Sequence, residues 1–134
     1  MIKTQGWEQR LADYLRKVHA GEIVLSRYDC AFFTAGWVEI ACGVQINHQS
    51  LRSGLSKEES LRLLAERSLS DWVSDVLQNA VSISQAMRGD VVLRRQSGLE
   101  ALGICDGESS QFLGLKSGLT AVPTLSCDLA WSLQ

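Results

Sequence analysis

The 134-residue chain carries one proline and two histidines, and no apolar run in it approaches the roughly 18 residues that a membrane-spanning helix needs. A membrane span is therefore not expected. The opening segment Met1-Ile2-Lys3-Thr4-Gln5-Gly6 lacks the apolar stretch of a secretory signal, so the product is expected to fold first in a cytoplasm. An excess of one charge is also missing: 13 basic against 15 acidic residues leave a net charge of −2, and Arg94-Arg95 is the nearest approach to a basic block. Nucleic acid, held mainly through its phosphates, is not the expected partner. Four cysteines, at positions 30, 42, 105 and 127, show none of the Cys-x-x-Cys spacing of zinc or redox centres. Cys42, Cys105 and Cys127 are expected as buried free thiols, a cluster site built from distant cysteines being the alternative. No cofactor is expected.

What is present is ordinary for a globular protein, 46% apolar and 21% charged, and the length suits a single domain over residues 1–134. Trp7, Leu11, Tyr14, Leu15 and Val18 recur at helical spacing with polar residues opposite, and Thr4 or Gly6 opens the turn. After Gly21 an extended run, Ile23-Val24-Leu25, leads to a second helix from Asp29 to about Cys42, stopped by Gly43. This helix is apolar nearly all round, with Phe32, Phe33, Trp37, Val38 and Ile40, and is expected to be central and buried. A polar loop over 44–55 precedes a capping-box pattern, Ser56-Lys57-Glu58-Glu59, that starts a helix through Arg67. Ser68 or Ser70 then caps a short helix carrying Trp72, Val73, Val76 and Leu77.

From residue 81 the period changes. Val81 to Ser84 alternates, Asp90 to Arg94 is β-branched and apolar, and Leu99 to Cys105 runs into Asp106-Gly107, a hairpin signal. Gln111 to Leu115, Leu119 to Val122 and Leu129 to Leu133 complete five or six strands, with Pro123 at a strand end or edge. Helices first and strands after predict an α+β fold, N-terminal helices packed on one face of a small C-terminal antiparallel sheet. Trp7, Trp37 and Trp72 fall on apolar helix faces and read as core.

The chemically pointed feature is Asp29-Cys30. Asp29 suits an N-cap whose carboxylate accepts orphan backbone N–H groups, which puts Cys30 in the first helical turn, where the positive helix end favours thiolate over thiol. A base for it is hard to find. His48, in the polar loop, is the weak candidate, and His19 ends the first helix, where an imidazolium suits the negative dipole. Asp90 reads as a turn former.

Three segments resemble the NlpC-type cell-wall peptidases, a papain-like cysteine hydrolase family: Tyr28-Asp29-Cys30-Ala31-Phe32-Phe33, Arg88-Gly89-Asp90-Val91-Val92, and Ala101-Leu102-Gly103-Ile104-Cys105-Asp106-Gly107. The last is similar to that family's His-Val-Gly-Ile-Tyr-x-Gly strand. The whole chain also resembles a group of short phage and prophage proteins encoded among tail genes, through Trp7, Arg10, Leu11, the Asp-Cys helix, the Gly-Asp-Val-Val strand and Ala130-Trp131. The resemblance implies an NlpC-like, papain-like fold with Cys30 as nucleophile. It also implies a histidine where this sequence has Ala101, and without that imidazole both proton transfers of the hydrolysis lose their carrier.

The expected function is accordingly structural: a tail-tip or baseplate component on a degenerate peptidase scaffold. Its partners would be hub and tape-measure-type tail proteins, and it would move from the host cytoplasm into the virion tail. The alternative is an active cysteine amidase or endopeptidase cutting peptidoglycan peptides as the genome enters the cell, with Cys30 attacking, Asp29 orienting and His48 standing in as base. A cytoplasmic protein that binds a host target is a third class, to which no residue here points.

Overall fold

The computed structural model describes residues 2–23, 25, 29–46, 68–78, 80–114 and 118–133. The loop from 47 and the helix expected over 56–67 lie outside them, as do Tyr28 and His48. Among the described residues three helices, α1 (Trp7–His19), α2 (Cys30–Cys42) and α3 (Leu69–Leu77), precede six strands: β1 (Ala80–Val81), β2 (Val91–Gln96), β3 (Leu99–Cys105), β4 (Ser109–Leu113), β5 (Leu119–Pro123) and β6 (Leu129–Trp131). The strands form one antiparallel sheet in the order β1-β6-β2-β3-β4-β5. The α+β class is as expected.

The helices follow their apolar patterns. In α1, Leu11, Tyr14, Leu15 and Val18 are buried, and Gly6, at φ 82°, occupies the N-cap. The Tyr14 hydroxyl donates to the Phe33 carbonyl at 2.7 Å while its ring stacks on Phe33, joining α1 to α2. In α2, Phe33, Trp37 and Ala41 are fully buried and Gly43 ends the helix at φ 64°. The helix is not enclosed all round, however: Ile40 is 39% exposed and Phe32 only partly buried. In α3, Ser68 caps through its hydroxyl, which accepts from the Asp71 N–H.

Strand β2 is the centre of the sheet. Val91, Val92 and Leu93 are all buried, so both faces at this point are covered, which is why the run is continuously apolar rather than alternating. Val91 and Leu93 belong to the main core under the helices. Val92 belongs to a second, smaller cluster on the opposite face, with Cys105, Phe112, Cys127 and Ala130. The three helices thus pack on one face as expected, and 3-10 turns at Ile83–Gln85 and Thr124–Ser126 with the chain around them close the other side. The alternating run Val81 to Ser84 is thus a strand only at Ala80–Val81 and then a 3-10 turn. Ile23 and Leu25, the described ends of the run after Gly21, belong to no strand.

Two hairpins order β2, β3 and β4. The second, at Asp106-Gly107, falls where its sequence signal does. The first turns through Ser97-Gly98 with φ 54° and 77°, both left-handed, between the paired Gln96 and Leu99. A two-residue turn with two positive φ values matches the strand twist, and the Ser-Gly pair was its unread signal.

The corner before β2 holds the ends of the chain together. Asp90 is 1% exposed. One of its carboxylate oxygens accepts from the Met87 N–H at 2.9 Å and the other from the Leu133 N–H at 3.3 Å, with Lys3 Nζ at 3.8 Å. Beside it the Gly89 carbonyl accepts from Trp37 Nε1 at 2.8 Å and its N–H donates to the Cys105 carbonyl at 2.7 Å. Gly89 sits at φ 94°, and a Cβ there would lie 3.0 Å from the Trp7 ring. A side chain at that position would be strained by both its backbone and its neighbour. Asp90 is therefore a buried three-way anchor rather than only a turn former.

Burial pushes the Asp90 carboxyl above the usual carboxylate range, outweighing the two backbone N–H groups and the Lys3 ammonium that favour its charge. The folded chain thus holds this proton more tightly than the unfolded one. The stability tied to it is greatest at low pH and falls as pH rises from the ordinary carboxylate value through the raised folded one. Asp90→Asn should remove that slope. At neutral pH it should also cost about 1–3 kcal/mol, because an amide NH2 would face backbone donors. Denaturant unfolding of both proteins across mildly acidic to neutral pH measures the two effects.

Candidate functional site

Cys30 begins α2 and packs against β3. Among the described residues β3 and β4 pair at Ile104 with Gln111 and at Cys105 with Ser110, and Cys30 meets β3 upstream of those pairs. There the Leu102 N–H points at the Cys30 sulfur, joined by the N–H groups of Ala31 and of Cys30 itself. The last two are the positive helix end that the sequence implied, and the first comes from the strand. They do not prevail: burial pushes the Cys30 thiol up from its ordinary value, and the nearby Asp29 charge adds to the rise. The expectation of a favoured thiolate is corrected accordingly. The helix end supplies partial charges, whereas removing water from a thiolate opposes the whole charge.

Asp29 occupies the N-cap position through its backbone, its carbonyl accepting from the Phe33 N–H at 2.8 Å. Its side chain makes no cap hydrogen bond, and the residue is 2% exposed. With φ −96° and ψ 25° it lies outside the extended region from which an N-cap carboxylate folds back over the first amides. The expected carboxylate cap is thus replaced by a buried Asp29.

Ala101 precedes Leu102 and is exposed. Strand alternation sends Leu102 and Ile104 into the core beneath the helices and Ala101 to the opposite face. The position that the peptidase resemblance assigns to histidine is therefore the chain neighbour of Leu102, whose N–H meets the thiol, and it carries only a methyl group turned to the other face. Among the titratable groups of the described residues, Asp29 alone bears on the Cys30 ionisation. His19 ends α1 as expected, and its Nδ1 accepts from the Leu119 N–H at 3.0 Å, tying α1 to β5. His48 lies outside the described residues.

Beside the thiol a cavity of about 360 Å³ opens between α2 and α3, with Ala31 and Leu102 at its walls. Val38, Ile46, Trp72 and Val73 make it chiefly apolar. Trp72, expected in the core, is instead a half-buried wall residue, while Trp37 and Trp131 are buried. The helical pattern of α3 marks Trp72 as inward-facing but cannot tell a filled interior from a lined hollow. Thr34, also on the wall, turns its hydroxyl back to the Cys30 carbonyl at 3.0 Å. Among the described residues no group of three or more His, Cys, Asp or Glu side chains is placed to hold a metal ion.

The fold and site define an α+β domain with a half-buried thiol at a helix start, its ionisation opposed by desolvation, and an apolar hollow beside it. The chain belongs to the family described as a domain of unknown function, DUF6950, whose model matches residues 2–133. No curated protein matches it.

The Cys30 environment sets a measurable pH dependence. Alkylation of Cys30 by iodoacetamide should have its midpoint above the ordinary free-thiol value of about 8.5, as followed by peptide mass spectrometry across pH. A midpoint near neutrality would contradict the dominance of burial.

Proposed function

We propose that this protein is a non-hydrolytic structural component of a phage or prophage tail tip or baseplate, built on an NlpC-type, papain-like scaffold whose base position is Ala101. The observation that carries the reading is the pairing of a thiol made harder to ionise by burial with a neighbouring strand position that holds alanine. A cysteine hydrolase needs a group that takes the thiol proton and returns it to the leaving amine. The tail assignment rests on the order of the short motifs around Trp7, Cys30, Asp90 and Trp131. Three of those positions have packing roles: Trp7 lies against Gly89, Asp90 ties the chain ends, and Trp131 is buried with its Nε1 donating to the Ser74 hydroxyl at 3.2 Å. Stability held in such contacts survives the loss of chemistry above them. Hub and tape-measure-type tail proteins are the partners this reading implies, with assembly in the host cytoplasm.

The peptidoglycan-cleaving alternative draws on the three N–H groups around the sulfur, which resemble the donors that hold an oxyanion. Two measurements separate the readings. Mass spectrometry of purified particles should find the protein in virions, and murein fragments should remain uncut by it, with Cys30→Ser indistinguishable from the wild type. Cleavage that disappears in Cys30→Ser would establish the enzyme instead. Because the Ala101 side chain lies on the face away from Cys30, Ala101→His should leave the Cys30 alkylation midpoint unchanged and restore no murein cleavage. A downward shift would mean that an imidazole at position 101 reaches the thiol.

A further inference from the structure

The face of the sheet away from the helices holds two thiols for which the proposed function has no use. Cys105, at the end of β3, is fully buried and Cys127, just after the Thr124–Ser126 turn, is 5% exposed. Both belong to the same small cluster with Val92, Phe112 and Ala130. Cys105 Sγ lies 3.4 Å from the Gly107 carbonyl oxygen and 3.8 Å from Thr124 Oγ1. Thr124 Oγ1 is 2.8 Å from Ser110 Oγ, and Ser110 pairs across the ladder with Cys105. The Cys127 N–H donates to the Thr124 carbonyl at 3.0 Å, and Ser110 and Cys105 both bear on the Cys127 thiol. Both cysteines therefore lie beside Thr124. Cys30 and Cys42 stand at the two ends of α2, on the other side of the sheet.

We propose that Cys105 and Cys127 form a redox pair that closes to an intramolecular disulfide under oxidising conditions, fastening the crossover between β5 and β6 to the end of β3. That crossover carries the chain from one sheet edge to the far side of β2. Thr124 donates through its N–H to the Glu108 carbonyl and through its hydroxyl to the Gly107 carbonyl, and Asp128 donates to the Leu93 carbonyl. The oxidant is a low-molecular-weight disulfide such as oxidised glutathione. Cys127, the more exposed thiol, loses its proton and attacks one sulfur of the oxidant, forming a mixed disulfide and releasing one glutathione thiolate that takes up that proton. Cys105 then loses its proton and attacks the Cys127 sulfur, which expels the second glutathione. Two electrons and two protons pass from the protein to the oxidant. A reducing cytoplasm holds the pair open and an oxidising exterior closes it, whether or not the tail reading is right.

The test equilibrates wild-type protein in glutathione buffers of increasing oxidised fraction, at mildly alkaline pH because burial pushes the Cys127 thiol up. Trapping by alkylation after denaturation is followed by intact-mass and peptide analysis. The expected product has lost two hydrogens, leaves Cys30 and Cys42 open to alkylation, and yields a cross-linked peptide joining Cys105 to Cys127. Its unfolding temperature rises by about 5 °C or more, and dithiothreitol reverses both changes. A Cys30→Ser, Cys42→Ser double variant should still close, whereas Cys105→Ser should stop at a glutathione adduct on Cys127. The proposal is overturned if both thiols stay alkylatable in the most oxidising buffer, if the wild type stops at the adduct, or if the link involves Cys30 or Cys42. The wild-type readout does not depend on any variant folding.

Discussion

A buried carboxylate at the corner before β2 is the constraint on which the rest of the architecture depends. Asp90 receives the Leu133 N–H from one end of the chain and the Lys3 ammonium from the other, while its neighbour Gly89 takes the Trp37 indole of α2 and bonds back to β3. Four separate stretches of sequence therefore meet within two residues. Lys3 is held a second time, over the Trp7 ring at 4.7 Å, so the start of α1 is fixed to the same corner. An ionisable group in such a place costs desolvation, and its net worth lies in specifying which segments meet as much as in stabilising them. It also explains physically why a Gly-Asp pair stands before this strand: the first residue must lack a side chain against Trp7, and the second must supply two acceptors.

With that corner set, α2 lies against β3 and its first residue is brought to the Leu102 N–H. The placement resembles an attack site in its donors and differs from one in its acid-base balance. Three N–H groups face the sulfur, yet burial outweighs them and position 101 supplies no proton carrier. The hollow beside the thiol is apolar, so nothing on its described walls compensates that desolvation with a positive charge.

Much of this was legible from periodicity. The buried face of α1, the Gly43 stop and the Asp106-Gly107 hairpin fall where local rules put them, because each is decided within a few residues. The misreadings share a cause. Val81 to Ser84 alternates like a strand, but after Val81 the chain turns to help cover the second face of the sheet, a demand set by Phe112 and Cys127 far along the sequence. Asp29 has the composition of a capping residue without the dihedral angles of one, and Trp72 has the pattern of a core residue while lining a hollow.

By itself the sequence determined the class of the fold, the run of helices before strands, and the location of a thiol at a helix start, since those follow from hydrophobic period and turn chemistry along the chain. Only the tertiary structure decided that desolvation opposes the ionisation of that thiol, that Asp90 is an anchor, and that Cys105 and Cys127 share one cluster. Solvation and through-space neighbours set those properties, and both arise only when segments distant in sequence exclude water from one another.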